Sequence, residues 1–139
     1  MFTIDSELTG VLFTSTTASK STLLADYTHG FCGRGRHPSD VHYPKQVHGI
    51  ALATASAGTA PDCDDHHRVA ADAVFTTQPN VKIAVRTADC VPLLAVADNF
   101  ALAVHAGWRG LFAGILANCA DKLATDHSLD VRAAKWVIG

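Results

Sequence analysis

The stretch from residue 81 to 110, VKIAVRTADCVPLLAVADNFALAVHAGWRG, constrains the fold more than any other part of the chain. Its apolar runs are too short for ordinary helices, and they are broken by a proline and by the turn-forming pair Asp98 and Asn99. The pattern predicts strands over 82–87, 93–97 and 101–105, with the last two paired as a hairpin. That hairpin would bring Cys90 and His105 to one end of a sheet, where functional side chains are often carried.

Other segments carry weaker signals of regular structure. Strand-like composition is found at 10–16, 27–32, 41–47, 71–77 and 133–138, whereas the small-residue segment 51–61 is predicted to be a loop. One helix is predicted from 108 to about 125, because apolar residues recur there at helical spacing: Leu111, Ile115, Leu116, Cys119, Ala120 and Leu123. We therefore expect an α+β fold, with a mixed β-sheet and packed helices.

Composition excludes several classes of protein. Apolar residues make up 48% of the chain and charged residues 17%, which is typical of a folded domain. A net charge of -2 gives no general attraction for nucleic acid or for an acidic membrane surface. No apolar run approaches the length of a membrane span, and the first ten residues are acidic where a signal peptide would be basic, so we expect a cytoplasmic protein with free thiols.

Several polar features admit two interpretations from the sequence alone. Lone cysteine and histidine residues beside apolar strands are usually packing residues. Arg34 and Arg36 lie in the irregular segment GRGRHPSD, which is either a solvated basic loop or a clamp for an anion. The segment DCDDHH at 62–67 is favoured as a solvated loop over a site of chance metal capture. Asp72 either caps a turn or orients a ligand histidine.

Five short segments carry a more specific signal when they are taken together. HGFCGR at 29–34, KQVHG at 45–49, ADAVFTT at 71–77, RTADCVPLL at 86–94 and HAGWRG at 105–110 follow one another along the chain. In that order they resemble the signature blocks of the family first catalogued as multicopper polyphenol oxidoreductases or laccases, also called YfiH or DUF152. Members of that family are described as zinc-dependent purine nucleoside phosphorylases with adenosine deaminase activity.

The resemblance has consequences for domain organisation. It covers the chain from about His29 onward, but members of the family continue for roughly another hundred residues, a length on the scale of a domain-sized piece. We therefore expect residues 1–139 to form a single YfiH-like domain that is incomplete, its amino-terminal part only.

The resemblance also implies a metal centre and a set of substrates. His48, Cys90 and His105 match the family's metal ligands, with Zn²⁺ favoured over copper; two imidazoles and a thiolate leave the fourth tetrahedral position open, as in catalytic zinc sites. The implied substrates are purine nucleosides and phosphate. The residues carried over by motif match are Cys90, Asp89 and Arg34 for catalysis, and Lys45, Gln46, Arg86 and Arg109 for substrate binding. An ordinary surface contact is the alternative role for each of these polar residues.

Three other functions stay open at the level of sequence. Cys90 and His105 suit a cysteine hydrolase or amidase acting on cell-wall precursors, with a nucleophile and a base. A multicopper phenol oxidase is less favoured, because such enzymes need many histidines in paired HxH clusters and this chain has none. The short chain is also compatible with an inactive truncated metal-binding fragment. The familiar nucleobase-deaminase signature, HxE with PCxxC, is absent from the sequence.

Overall fold

The computed structural model describes residues 2–5, 23, 28–31, 40–58 and 68–139. Within these ranges the chain forms nine strands, two α-helices and a 3-10 turn at Val131–Ala133. The strands are β1 (Phe2–Asp5), β2 (Thr28–Phe31), β3 (Val41–His42), β4 (Leu52–Thr54), β5 (Ala73–Thr76), β6 (Lys82–Val85), β7 (Val91–Ala97), β8 (Phe100–Ala106) and β9 (Lys135–Ile138). The helices are α1 (Trp108–Ala113) and α2 (Ile115–His127).

The described strands belong to two sheets. A four-stranded sheet has the order β2-β1-β6-β3, and a five-stranded sheet has the order β4-β5-β8-β7-β9. Each sheet contains one parallel pair, β3 with β6 and β4 with β5, and all the other pairs are antiparallel. The predicted α+β class with mixed β-structure and packed helices is confirmed, although the division of the strands into two sheets was not predicted.

The central hairpin forms as its turn chemistry predicts. Strands β7 and β8 are joined by a two-residue turn at Asp98 and Asn99 and pair along their full length, with Ala97 opposite Phe100. At the other end of the hairpin, Val91 lies opposite Ala106. The ends of these two strands, and the residues that flank them, therefore share one rim of the five-stranded sheet.

Both faces of the five-stranded sheet are buried, which explains why its strands are apolar along their whole length. Leu94 and Val96 of β7 face the four-stranded sheet, where they join a core that includes Ile83 and Val85. Leu93 and Ala95 face the other way, into a core that α2 completes with Ile115, Cys119 and Leu123. The result is a three-layer arrangement of sheet, sheet and helices.

The predicted single helix is wrong in one respect, because it is interrupted. Gly114 has a φ of 91° and ends α1 with a left-handed cap, after which α2 begins at once. The break changes which side chains are buried. Ile115, Cys119 and Leu123 face the core as predicted, whereas Leu111 and Leu116 are 44% and 38% exposed.

The remaining predictions of regular structure have mixed outcomes. The strands predicted at 27–32, 71–77 and 133–138 are found as β2, β5 and β9, each shorter than predicted. The strand predicted at 41–47 stops at His42, just before Pro44, which has no N–H for a ladder. Residues 51–61, predicted to be a loop, contain β4, and β1 was not predicted. The strand predicted at 10–16 and the DCDDHH segment lie outside the described residues.

Neither described helix combines the length and the apolar character that crossing a membrane requires.

Replacing Gly114 with alanine is expected to lower the free energy of unfolding by about 1 kcal/mol, because a Cβ is strained at a left-handed φ. Urea denaturation measures this change. Gly58→Ala is the matched control, since no atom lies within 4 Å of an added Cβ and its φ is not left-handed. Equal midpoints for Gly114→Ala and the unchanged chain would contradict the role of the break.

Candidate metal centre

His48 is presented by a constrained backbone turn. It lies between the bridge at Lys45 and strand β4, and its φ is 58°, in the left-handed region. Residues with a side chain adopt this conformation rarely, and only where the surroundings enforce it. Here the backbone N–H groups of Val47, His48 and Gly49 all donate to one carboxylate, and this cradle fixes the turn.

That carboxylate belongs to Asp72, which is fully buried. Its oxygens accept hydrogen bonds from the N–H groups of Val47 at 3.2 Å, His48 at 2.9 Å and Gly49 at 2.7 Å. Its Oδ1 also lies 2.8 Å from Nδ1 of His105. A buried carboxylate needs such partners, because burial removes its water. Asp72 thus fills both roles considered from the sequence: it caps a turn and it orients a histidine.

His105 reaches Asp72 through the register of two strands. Ala73 of β5 lies opposite Val104 of β8, so the next step of the ladder sets Asp72 against His105. The His105 N–H donates to the Asp72 carbonyl at 2.7 Å, which continues the ladder. Because Nδ1 of the His105 ring is bonded to the carboxylate, Nε2 is the ring nitrogen left for a metal, as is usual for histidine ligands with a carboxylate partner.

Cys90 is placed by the central hairpin, immediately before β7. Since Val91 pairs with Ala106, Cys90 faces Gly107 across the end of the ladder. A Cβ built on Gly107 would lie 3.2 Å from Cys90 Sγ, 3.2 Å from His48 Cδ2 and 3.8 Å from His105 Cε1. The missing side chain at residue 107 therefore leaves open the space that the three groups surround.

The structure brings His48, Cys90 and His105 together. Their potential ligand atoms all lie within 4.8 Å of one another, and the two imidazole rings meet nearly edge to face at 4.9 Å and 78°. Tetrahedral zinc, with bonds of about 2.0–2.3 Å, needs ligand atoms about 3.5 Å apart, so small side-chain rotations would close the group around an ion. Two imidazoles and one sulfur fit Zn²⁺ and leave a fourth position open.

The three groups share a pocket of about 390 Å³. It is lined by Gln46, His48, His105 and the 86–90 segment, which includes Arg86, Asp89 and Cys90. The exposure of the three groups is graded: His105 is buried, Cys90 is half-buried and His48 is exposed. A metal held by them would therefore face the open side of the pocket, where a small molecule could reach its fourth position.

Burial raises the pKa of the Cys90 thiol, and the nearby carboxylates of Asp89 and Asp72 raise it further. The thiol donates a long hydrogen bond of 3.8 Å to Asp89 Oδ1. The protein by itself therefore favours the protonated thiol. A bound divalent cation would reverse this preference, since coordination holds a thiol as thiolate.

Gln46 and Arg86 are joined by a reciprocal pair of hydrogen bonds. Gln46 Nε2 donates to the Arg86 carbonyl at 2.6 Å, and Gln46 Oε1 accepts from the Arg86 N–H at 2.7 Å. The Gln46 side-chain amide thus makes the same pair of hydrogen bonds with the Arg86 backbone that a residue of a neighbouring strand would make. This contact ties the segment before His48 to the segment that carries Cys90.

The other predicted site residues differ in their distance from the pocket. Asp89 and Arg86 line it, but Lys45 and Arg109 are exposed and are not among its described lining residues. The backbone of Lys45 forms hydrogen bonds with the backbones of Val69 and Ala71. The guanidinium carbon of Arg109 lies 5.3 Å from the centroid of the Trp108 ring. Arg34 lies outside the described residues, so its role stays a prediction.

Two residues near the pocket were missed by the sequence analysis. They are Tyr43 and Arg68. The Tyr43 hydroxyl accepts hydrogen bonds from the guanidinium groups of both Arg68 and Arg86, although these residues lie far apart along the chain. Neither belongs to one of the signature segments, and no periodic pattern marks either of them. Only the folded arrangement of β3 and β6 reveals this cluster.

Comparisons with known proteins indicate one family. The family described as "Multi-copper polyphenol oxidoreductase laccase" matches residues 25–139. A protein of Aquifex aeolicus named purine nucleoside phosphorylase is 48% identical over 62 residues, which are 45% of this chain and 30% of that protein. A purine nucleoside phosphorylase of Synechocystis sp. is 32% identical over 130 residues, covering 81% of this chain and 49% of that protein.

Solved structures show the same fold. The hypothetical protein YfiH of Bacillus licheniformis superposes with a TM-score of 0.66 at 26% identity, covering 72% of this chain and 39% of that one. YlmD of Geobacillus stearothermophilus gives a TM-score of 0.63 at 26% identity, with the same coverage. The chain therefore spans less than half the length of each of these four relatives.

Asp72→Asn is expected to weaken Zn²⁺ binding by about ten- to hundredfold, the usual effect of removing a carboxylate that orients a histidine ligand. The asparagine side chain keeps the shape but has only one acceptor oxygen for four donors. Competition with a chromogenic chelator measures the affinity. Asp121→Asn, on the exposed side of α2, removes the same charge as a control and should bind zinc normally. Unchanged affinity in folded Asp72→Asn would contradict the positioning role.

Gly107→Ala is expected to weaken Zn²⁺ binding by about tenfold, because its methyl group would crowd Cys90 and His48 at 3.2 Å. The same competition assay checks the change, with circular dichroism to verify the fold. Gly58→Ala serves as the control, since its Cβ meets nothing. If both variants bound zinc equally well, the space above Gly107 would not be part of the site.

Proposed function

The chain belongs to the family described as multi-copper polyphenol oxidoreductase laccase, and on that premise we propose that it carries the metal centre of a zinc-dependent purine nucleoside phosphorylase with adenosine deaminase activity. The observation that carries the proposal is the convergence of His48, Cys90 and His105 in one pocket. The names of the relatives support the phosphorylase activity. The proposal places the protein in the cytoplasm, where a reducing environment keeps thiols such as Cys90 and Cys119 free.

The donor set favours zinc over copper. One thiolate and two imidazoles with an open position make a complete catalytic zinc site. A multicopper oxidase needs several copper ions held by histidines in paired HxH clusters, which the sequence lacks. When bound, Zn²⁺ would supply a Lewis acid and would lower the pKa of water to about neutrality. Asp72 holds His105 in the tautomer that such an ion requires.

Phosphorolysis of a purine nucleoside forms one bond and breaks another. An oxygen of phosphate bonds to ribose C1′ as the C1′–N9 bond breaks, and the bonding electron pair leaves with the purine, which takes up a proton. The products are the free base and ribose 1-phosphate. The chain must therefore hold an anion beside the sugar and offer a proton donor to the base.

The pocket offers groups for each of these tasks. Arg86 lines the pocket and is the group proposed to meet the anion, and Asp89, whose Oδ1 lies 3.8 Å from Cys90 Sγ, is the proposed acid. Gln46 presents its amide from the pocket wall, already held by the Arg86 backbone. Lys45, Arg109 and Arg34 are assigned to substrate binding or catalysis by motif match. A volume of about 390 Å³ lies within the range of small-molecule sites.

The substrates proposed are inosine, adenosine, guanosine and methylthioadenosine. For adenosine, a second reaction uses water in place of phosphate: its oxygen bonds to C6 of the purine and ammonia leaves. In the proposed deamination, C6 of the purine lies against the metal-binding groups.

The zinc-loaded protein is expected to release hypoxanthine from inosine only when phosphate is present. Base release is measured by chromatography, and ribose 1-phosphate should form in equal amount. Removal of the metal by a chelator should abolish the activity, and added Zn²⁺ should restore it. His48→Ala should lose activity together with zinc. A metal-free protein that is as active as the loaded one would overturn the proposal.

Thiol alkylation separates this function from a cysteine hydrolase. A zinc ligand at Cys90 should be protected from iodoacetamide by the metal, whereas a nucleophile should react with or without it. Peptide mapping distinguishes Cys90 from Cys119, whose thiol is buried and has its pKa raised to about 12. Zinc binding without any turnover would instead favour an inactive fragment.

A further inference from the structure

The short helix α1 exposes a row of large apolar side chains. Trp108 is 71% exposed, Leu111 44% and Phe112 92%. These residues stand at positions i, i+3 and i+4, which lie on one face of a helix. We refer to these three side chains as the α1 stripe. Exposed apolar residues that are scattered singly need no explanation, whereas a group of them on one face marks a contact surface.

The α1 stripe faces away from the rest of the chain, because the opposite side of the helix is the side that packs. Gly110 is the buried residue of α1, and a Cβ built on it would lie 2.9 Å from the carbonyl oxygen of Gly49. At about 100° per residue, Gly110 lies roughly opposite the middle of the stripe. An ordinary surface helix has the reverse arrangement, with its apolar face inward. The fold of one copy of the chain therefore leaves the stripe exposed.

The exposed area of the α1 stripe matches the apolar core of a dimer interface. A fully buried aromatic side chain removes about 150–250 Å² from water, so Trp108 and Phe112 together offer roughly 300 Å², to which Leu111 adds. A standard interface buries about 800 Å² on each partner, and about 60% of that area is apolar. The stripe by itself supplies more than half of the apolar area that one side of such an interface needs.

The order of residues in the α1 stripe suits contact with a second copy of itself. Trp108 and Phe112 lie about one turn apart along the helix. When two copies of α1 pack antiparallel about a two-fold axis, Trp108 of each copy meets Phe112 of the other. Two aromatic pairs then form in one interface, and such pairs stabilise a contact beyond the burial of their area.

The charges near the α1 stripe permit this contact and disfavour a membrane as the partner. α1 contains one charged residue, Arg109, whose guanidinium carbon lies 5.3 Å from the centroid of the Trp108 ring. The chain carries a net charge of only -2, so two copies repel each other weakly. Helices that lie on a membrane surface are rich in lysine and arginine on their polar face, whereas α1 has a single arginine.

We propose that the α1 stripe is the contact surface of a homodimer, in which a second copy of this chain covers it with its own stripe. The contact is built from the fold alone, so it forms without zinc or substrate and is independent of the proposed reaction. Because the interface is small, association is weak, with a Kd of roughly 10 μM.

Sedimentation velocity over a series of protein concentrations tests the dimer. Phe112→Ser is expected to weaken association at least about tenfold, since aromatic side chains contribute most of the binding energy of interfaces. Phe112 is 92% exposed, so its replacement should leave the fold intact, which circular dichroism verifies. Ile138→Ser is the matched control: it removes an apolar side chain that is 71% exposed on β9, and it should associate like the unchanged chain.

Two results of sedimentation would overturn the proposal. One is an unchanged chain that stays monomeric at concentrations about a hundredfold above the expected Kd, where mass action requires the dimer. The other is a dimer that Ile138→Ser dissociates and Phe112→Ser leaves intact, because the edge strand β9 would then be the interface.

Isotope-filtered NMR on a mixture of labelled and unlabelled chains tests the antiparallel packing. The Trp108 ring of one copy should give cross-peaks to the Phe112 ring of the other. A dimer that lacks this contact would overturn the proposal, since a different surface would then join the two copies.

Flotation with phosphatidylcholine vesicles tests a lipid surface as the alternative partner. The unchanged chain should stay in the protein fraction. Vesicle binding that Phe112→Ser abolishes, in a chain that does not dimerise, would assign the α1 stripe to a membrane and overturn the proposal.

Discussion

The buried carboxylate of Asp72 is the constraint on which the candidate metal centre depends. Enclosed away from water, it must be satisfied by protein donors, and the available donors come from two separate parts of the chain. Three are consecutive backbone N–H groups around His48, and the fourth is the ring of His105. Satisfying one charge therefore fixes two of the three groups that could hold a metal.

The helices secure the same turn from the other side. A Cβ on Gly110 would lie 2.9 Å from the carbonyl oxygen of Gly49, so α1 packs directly on the backbone beside His48. Asn118 of α2 donates to the Ile50 carbonyl at 2.7 Å. The left-handed residue His48 is thus held between a buried carboxylate and two short helices, which explains how its strained conformation persists.

The family's description and the names of its members point to different activities. The description names copper and laccase, whereas the names of the relatives refer to purine nucleoside phosphorylase. Two imidazoles and one sulfur could hold a single ion with an open position, whereas a multicopper site needs several ions. The chain covers less than half of each compared relative.

The sequence by itself determined the local features of this protein. The Asp98–Asn99 turn and the apolar runs beside it predicted the central hairpin, and ordered signature segments pointed to His48, Cys90 and His105. These signals are readable because they depend on neighbouring residues or on motifs. The break at Gly114 was missed because helical periodicity continues across it, and a glycine within such a pattern does not by itself reveal a left-handed φ.

Only the tertiary structure decided which distant residues come into contact. The division of strands into two sheets, the four hydrogen bonds to Asp72, and the packing of Arg68 and Arg86 on Tyr43 all join residues distant in sequence. Each depends on strand register, and a shift of one residue would turn every side chain to the opposite face. Burial then selects the register that hides the apolar faces and satisfies the enclosed carboxylate of Asp72, which no local pattern in the sequence specifies.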